Sequence, residues 1–199
     1  MLDRISLTDI PRVTLVLVAT SVLTFVAMQM GRGHEVQRLF MISGYVIGLS
    51  EVMNGEWWRL VTPIFVHFGI LHILFNMIGL LVFAGAIEKK YGKVYFILMV
   101  LVFAITSNVG QFMYSGPLFG GMSGVVYGIF GYLWMQSKFN PWSTLMLHDQ
   151  EIGFIMILFV ASWLGLLGNI ANMAHTIGLL SGLAWGYGHA VYANRRRRR

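Results

Sequence analysis

Apolar residues along this chain come in blocks, not in alternation with polar ones. Six blocks stand out, over residues 13–30, 71–87, 94–114, 123–135, 152–168 and 170–192. A soluble helix shows an apolar stripe about 100° wide and a polar face opposite it. These blocks are apolar nearly all round, which predicts helices whose solvent is lipid, where roughly 20 residues cross the hydrocarbon layer. The fourth block is shorter than that, so its outer end must be covered by protein or meet water inside the membrane. The first block is too long for a signal-peptide core, and no small-x-small site clearly follows it. It is expected to be a retained first span.

Between the blocks lie one long connection and several short ones. Residues 31–69 form the long loop, and it is not purely polar. LFMISGYVIG and EWWRLVTPIFVHFG are apolar or amphipathic, and Trp57 and Trp58 suit the headgroup belt. The loop is expected to lie in the membrane interface. The domain expectation is a short N-terminus over 1–12, a six-helix membrane domain over 13–192 and a basic tail over 193–199.

Composition agrees: 57% of the 199 residues are hydrophobic and 11% charged, with a mean hydropathy of +0.70. Soluble domains carry about 25% charged residues. With no cysteine, disulfides and thiolate metal sites are excluded. Charge then orients the spans. With six crossings, one side collects Arg4, Arg12, Lys89, Lys90, Lys93, Lys138 and Arg195 to Arg199, and the other holds Arg32, Arg38 and Arg59. Eleven against three places both termini in the cytoplasm, and six against three still does without the arginine tail. The tail can rest on anionic headgroups or simply be solvated.

This orientation sorts the polar residues by depth. His72 and Asn76 begin the second span, Ser123 the fourth, and His175 lies about one turn into the sixth. All four fall in the outer half of the membrane at similar depth. Polar groups in spans are costly and face the bundle interior or a wet cavity. His72 and Asn76, four apart, share a helix face. Gly124 and Gly128 on the fourth span, and Gly178, Gly182 and Gly186 on the sixth, are stripes that allow close helix packing. If the stripes meet, Ser123 comes to His175.

That meeting permits nucleophilic chemistry. A serine hydroxyl becomes a competent nucleophile once a neutral histidine takes its proton. Oxyanion donors are available in His72, Asn76 and the Ser123 amide. Gly120, Gly121 and Gly124 let the chain bend and a substrate strand approach. Asp3, Asp9 and Asp149 lie outside the spans and Glu88 sits at the inner end of the second, so a Ser-His dyad is expected, without a third acid. His34, His148 and His189 receive no role, and the methionines are expected to be core or lipid-facing filler.

Other classes fit less well. His67 and His72 are five apart with no carboxylate between them, unlike a zinc HExxH helix. No aspartate lies inside a span for an aspartyl protease. An α/β-hydrolase elbow needs glycine at position 125, which is valine. A small transporter stays open, since glycine-broken spans and midplane polar groups also mark transport sites, although no inverted repeat or intramembrane carboxylate is evident.

Four pieces in order resemble the rhomboid intramembrane serine proteases, closest to their bacterial six-span type. They are EWWR at 56–59, HFGILHILFN at 67–76, GMSG at 121–124 with Tyr127, and AHTIGLLSG at 174–182. The resemblance implies an all-α six-transmembrane-helix bundle with an outward water-filled cavity and an interfacial loop between helices 1 and 2. It implies Ser123 as nucleophile and His175 as base. His72 and Asn76 would bind the oxyanion, Gly121 and Tyr127 would belong with them to the oxyanion and substrate-binding set, and Tyr127 would pack on the His175 ring. Arg59 and His67 would organise the outer loop, Glu88 would tie down the inner end of the second span, and Gly178 and Gly182 would be structural. Implied substrates are transmembrane proteins in a lipid bilayer, cut without metal or cofactor; nucleic acid is not an expected partner. A bacterial inner membrane is the expected location. An inactive rhomboid-like membrane-protein binder and a small transporter are the alternatives.

Overall fold

The computed structural model describes residues 10–44, 48–168 and 170–197. Asp3, Arg4, Asp9, Arg198, Arg199 and the middle of the LFMISGYVIG stretch lie outside them. Among the described residues every regular element is helical: α1 Arg12–Ala27, α2 Gly33–Phe40, α3 Ser50–Met53, two 3-10 turns at Trp57–Leu60 and Thr62–Phe65, α4 Ile70–Ser115, α5 Ser123–Phe139, α6 Asp149–Trp163 and α7 Asn172–Arg197. Two stretches, Arg12–Phe40 and Ile70–Ser115, are long and apolar enough to cross a membrane.

The second and third apolar blocks are both contained in α4. The charged run Glu88-Lys89-Lys90 does not end the helix, because these residues are good helix formers, the two lysines are exposed and the Glu88 carboxylate is bound at the start of α1. The break comes at Gly92, with φ +83° and ψ 165°, a conformation that favours glycine. The limbs 70–91 and 93–115 then run in opposite directions. His72 and Gln111 both lie at the end of the bundle that holds the start of α7, while Tyr95 reaches His189 near the other end of that helix.

Three further boundaries differ from the sequence pattern. The chain stays helical beyond residue 31: a π turn at Met28–Arg32, with Gly31 at φ +87°, redirects it into α2, whose Val36 is buried while most of its face is exposed. The fifth block ends as a helix at Trp163, and turns at Gly165 and Gly168, both with positive φ, complete it. Helix α7 runs on through Arg195, Arg196 and Arg197, where no proline or glycine stops it.

Helix α5 is the centre. Val125, Ile129, Phe130 and Tyr132 are fully buried, with Phe103 and Met99 of α4 around them. Its 17 residues span about 25 Å, short of the roughly 30 Å of a bilayer core. The outside of the bundle is apolar, with Val16, Leu23, Ile70, Leu98 and Ile157 all exposed. The inside holds Thr14, Ser21, Asn76, Ser107, Asn108, Gln111, Gln136 and His175, all buried. Apolar outside and polar inside is the arrangement a lipid solvent selects; most of these interior groups are hydrogen-bonded, while Ser21 Oγ is buried without a partner among the described residues.

Two groups anchor the ends. Glu88 accepts from the Val13 amide (2.9 Å), the Thr14 amide (2.8 Å) and the Thr14 hydroxyl (2.8 Å), so its carboxylate caps the start of α1. Arg59 donates to Glu56 Oε2 (2.6 Å), the Met41 carbonyl (2.9 Å) and the Arg38 carbonyl (2.8 Å). Its fork of donors thereby closes the 31–69 loop on itself. The carboxylate of Glu51 joins the same loop. Desolvation pushes its pKa up, but hydrogen bonds from Gly44 N–H, its own amide, Ser43 and Ser50 outweigh that and hold it below the usual carboxylate value.

Candidate active site

Ser123 opens α5 because the preceding loop cannot be helical. Gly116 and Gly121 carry φ of +80° and +124°, and the Gly121 amide donates to the Pro63 carbonyl at 3.0 Å. A side chain on Gly120 would meet the Val66 carbonyl oxygen at 2.7 Å, and one on Gly121 would meet His72 Nε2 at 2.5 Å. Both glycines are therefore required by close approach, and Gly121 by its backbone as well. The loop places the Ser123 hydroxyl at the end of a buried helix, with its amide among the unpaired first-turn N–H groups.

His175 comes to Ser123 through the helix pair α5–α7. Gly178 lies against the Gly124 carbonyl and Gly182 against the Gly128 carbonyl, so close that a Cβ on either would collide with backbone. Gly186 is likewise held against Tyr132. Bare backbone contact of this kind is what small-residue stripes provide in membranes. One turn before Gly178, His175 Nε2 lies 2.8 Å from Ser123 Oγ. The His175 ring is 6% exposed, and the Tyr127 ring lies over it with centroids 4.6 Å apart and planes tilted by 30°.

His72 lies near the serine at Gly121, where an added Cβ would meet His72 Nε2 at 2.5 Å and Ser123 Oγ at 3.7 Å. Asn76 donates one amide hydrogen back to the His72 carbonyl at 2.9 Å, which fixes its side chain and leaves its second N–H. His67 is fully buried. Its Nδ1 lies 3.1 Å from the Phe65 carbonyl, and its Nε2 accepts the Met122 amide at 3.4 Å. It links the outer loop to the residue before Ser123. Ser123, His175, His72, Asn76, Gly121, Tyr127 and His67 thus gather at one end of the bundle. Arg59 lies in the adjoining loop, and Glu88 is at the far end of its limb.

Sequence reasoning missed a second layer of polar residues. Gln111 accepts the Ala174 amide at 2.9 Å and donates to Ser115 at 2.7 Å, so it fixes the start of α7 next to His175. Asn108 donates to the Leu60 carbonyl at 2.9 Å and ties the outer loop to α4. Ser107 packs on Gly124. Their signal was present as polar residues within an apolar block. His189, given no role from sequence, sits with Nδ1 2.8 Å from Tyr132 Oη and 3.1 Å from Tyr95 Oη. Trp185 Nε1 donates to Tyr95 Oη at 2.9 Å. This cluster packs the end of the bundle remote from Ser123. Among the described residues no group of histidines and carboxylates is placed to hold a metal ion.

An all-helical bundle with an apolar exterior and a serine–histidine contact inside it defines an integral membrane protein with the parts of a hydrolase. The family comparison is in accord: the Rhomboid domain model matches residues 54–191. The chain belongs to the rhomboid family, whose members act on transmembrane substrates within the membrane. Most are intramembrane serine proteases and some are inactive relatives.

Proposed function

We propose that this chain is an active intramembrane serine protease with Ser123 as nucleophile and His175 as general base. The observation that carries the reading is the 2.8 Å contact between Ser123 Oγ and His175 Nε2, inside a bundle with an apolar exterior. As Ser123 Oγ attacks the carbonyl carbon of a peptide bond, His175 Nε2 takes the hydroxyl proton and later delivers it to the leaving amine. The oxyanion that forms faces the Ser123 amide, the His72 ring and the free N–H of Asn76. Water then hydrolyses the acyl-enzyme by the same route in reverse.

The substrate class is the membrane-spanning segment of another protein. A helix hides its peptide carbonyls in its own hydrogen bonds, so it must unwind locally to reach Ser123. Segments with glycine or other poor helix formers near the cut are therefore the preferred substrates. Six crossings with both termini in the cytoplasm put the Ser123 end on the outer side, following the excess of lysine and arginine at the other end.

The test is cleavage of a fluorescent single-span substrate by the purified protein in detergent. Wild type, Ser123→Ala and His175→Ala run side by side with and without a chelator. Cleavage by wild type alone, unaffected by chelator, is expected. Equal cleavage by Ser123→Ala would remove the nucleophile assignment. Inactivity of a well-folded wild type that also fails to react with a serine-directed probe would place the chain among the inactive relatives.

A further inference from the structure

His175 offers one ring nitrogen to Ser123. The other, Nδ1, is buried and has no hydrogen-bond partner among the described residues. One turn earlier, Asn172 Oδ1 is also buried without a partner. The two orphans are complementary. If Nε2 is to accept the Ser123 hydroxyl, the neutral ring must carry its hydrogen on Nδ1, and that N–H needs an acceptor. We infer that Asn172 is a positioning residue whose Oδ1 takes the His175 Nδ1–H, directly or through one water, and so holds the tautomer that lets Nε2 act as base. The inference rests on the serine–histidine reading above.

Three features support it. Asn172 and His175 are three apart at the start of α7, hence on one face, and helical side chains lean toward the N-terminus, so the His175 ring leans over Asn172. The orientation of the Asn172 amide is fixed. Its Nδ2 donates to the Ser162 carbonyl at 3.1 Å, and a carbonyl can only be met by the NH2 end, which turns Oδ1 away as an acceptor. No carboxylate among the described residues competes for the ring. Glu88 is engaged at α1, Glu51 and Glu56 in the outer loop and Glu151 with the His148 amide, while Glu35 and Asp149 are exposed. When Ser123 transfers its proton to Nε2, the Nδ1 proton stays in place and the amide dipole of Asn172 faces the imidazolium. A neutral acceptor in this position gives a weaker version of the orientation that an aspartate provides in a triad.

The decisive experiment combines tautomer and rate on the full chain in detergent. Histidine is labelled with nitrogen-15 and the His175 ring is assigned by its loss in His175→Ala; the same single-span fluorescent substrate reports cleavage. Wild type is expected to hold His175 as the Nδ1–H tautomer. Asn172→Ala is expected to mix the tautomers and lower kcat roughly 10- to 100-fold with KM within about twofold. Asn172→Asp keeps an acceptor but loses the Ser162 bond, so it is expected to retain the tautomer and recover much of the rate. If Ala and Asp fall alike with the tautomer unchanged, Asn172 is only a tie between α6 and α7 and the inference is overturned. A wild-type His175 protonated on Nε2 overturns it even if no Asn172 variant folds. Ser123→Ala, run in parallel, separates the two readings: cleavage surviving there removes the dyad itself.

Discussion

A serine in a membrane helix ordinarily bonds back to the preceding turn. Ser123 has no preceding turn, because the loop through Gly120 and Gly121 delivers it as the first residue of α5. This makes Gly121 the most sensitive neighbour of the site. Gly121→Ala puts a methyl against His72 and strains a backbone at φ +124°. The expected outcome is a loss of cleavage of roughly 100-fold or more, since small displacements of reacting groups carry penalties of that size. The comparison of Tyr127→Phe with Tyr127→Ala tests a different property. The ring stacked on His175 is kept in the first and lost in the second. Cleavage rates are expected to be near wild type for Phe and clearly reduced for Ala; equal rates would remove the packing role.

At the scale of elements, the α5–α7 pair sets the distance between Ser123 and His175. Its backbones touch at Gly178 and Gly182, so any side chain there must push the helices apart. Gly182→Val is expected to lose about 1–3 kcal/mol of stability, the usual range for overpacking, seen as a lower Tm in detergent, with activity falling further as His175 moves away. Glu88 works at the other end. Glu88→Gln retains the shape but weakens three charge-assisted bonds and the favourable charge at the start of α1. A loss of about 1–2 kcal/mol is expected by the same Tm measurement, with the substrate KM unchanged. In the outer loop, Glu51 has a pKa below its ordinary value, so its stabilisation is present above that value and lost as pH falls through the lowered one. The Tm difference between wild type and Glu51→Gln is therefore expected to shrink on acidification; a difference constant with pH would show that its charge plays no part.

At the scale of the molecule, the polar interior and apolar exterior decide the solvent, and the charge distribution carries the expected direction. Lys89, Lys90, Lys93, Lys138 and Arg195 to Arg197 gather away from Ser123. Arg197 lies over the Trp142 ring at 5.0 Å, an arrangement suited to the headgroup region. Reporter domains fused to either terminus are expected to read the cytoplasmic side. A terminus read on the outside would invert the bundle and place Ser123 at the opposite face. The 31–69 loop is fastened to the bundle through Asn108 on the Leu60 carbonyl and His67 on the Met122 amide, and is closed on itself by Arg59 and Thr62. Those fastenings are long-range and could not be read locally, whereas Trp57, Trp58 and the amphipathic pattern of the loop were plain in the sequence.

The sequence by itself determined the solvent, the all-helical class and the short list of candidate site residues. These follow from local quantities: block length, the price of charge in lipid, and the rarity of histidine, serine and asparagine inside apolar runs. It also indicated which helices pack closely, because a glycine stripe is itself a local pattern. Tertiary structure alone decided what those side chains do to one another. That His175 meets Ser123 at 2.8 Å, that Gln111 holds the start of α7, and that Gly92 rather than the charged run reverses α4 all depend on where helices distant in sequence come to rest. Asn172 shows the limit most clearly. In the sequence it is one polar residue near a helix start; only the packed bundle reveals a buried oxygen one turn from a buried ring nitrogen, each without a partner. Hydrogen-bond satisfaction is a property of the assembled interior, so it cannot be read from any single segment.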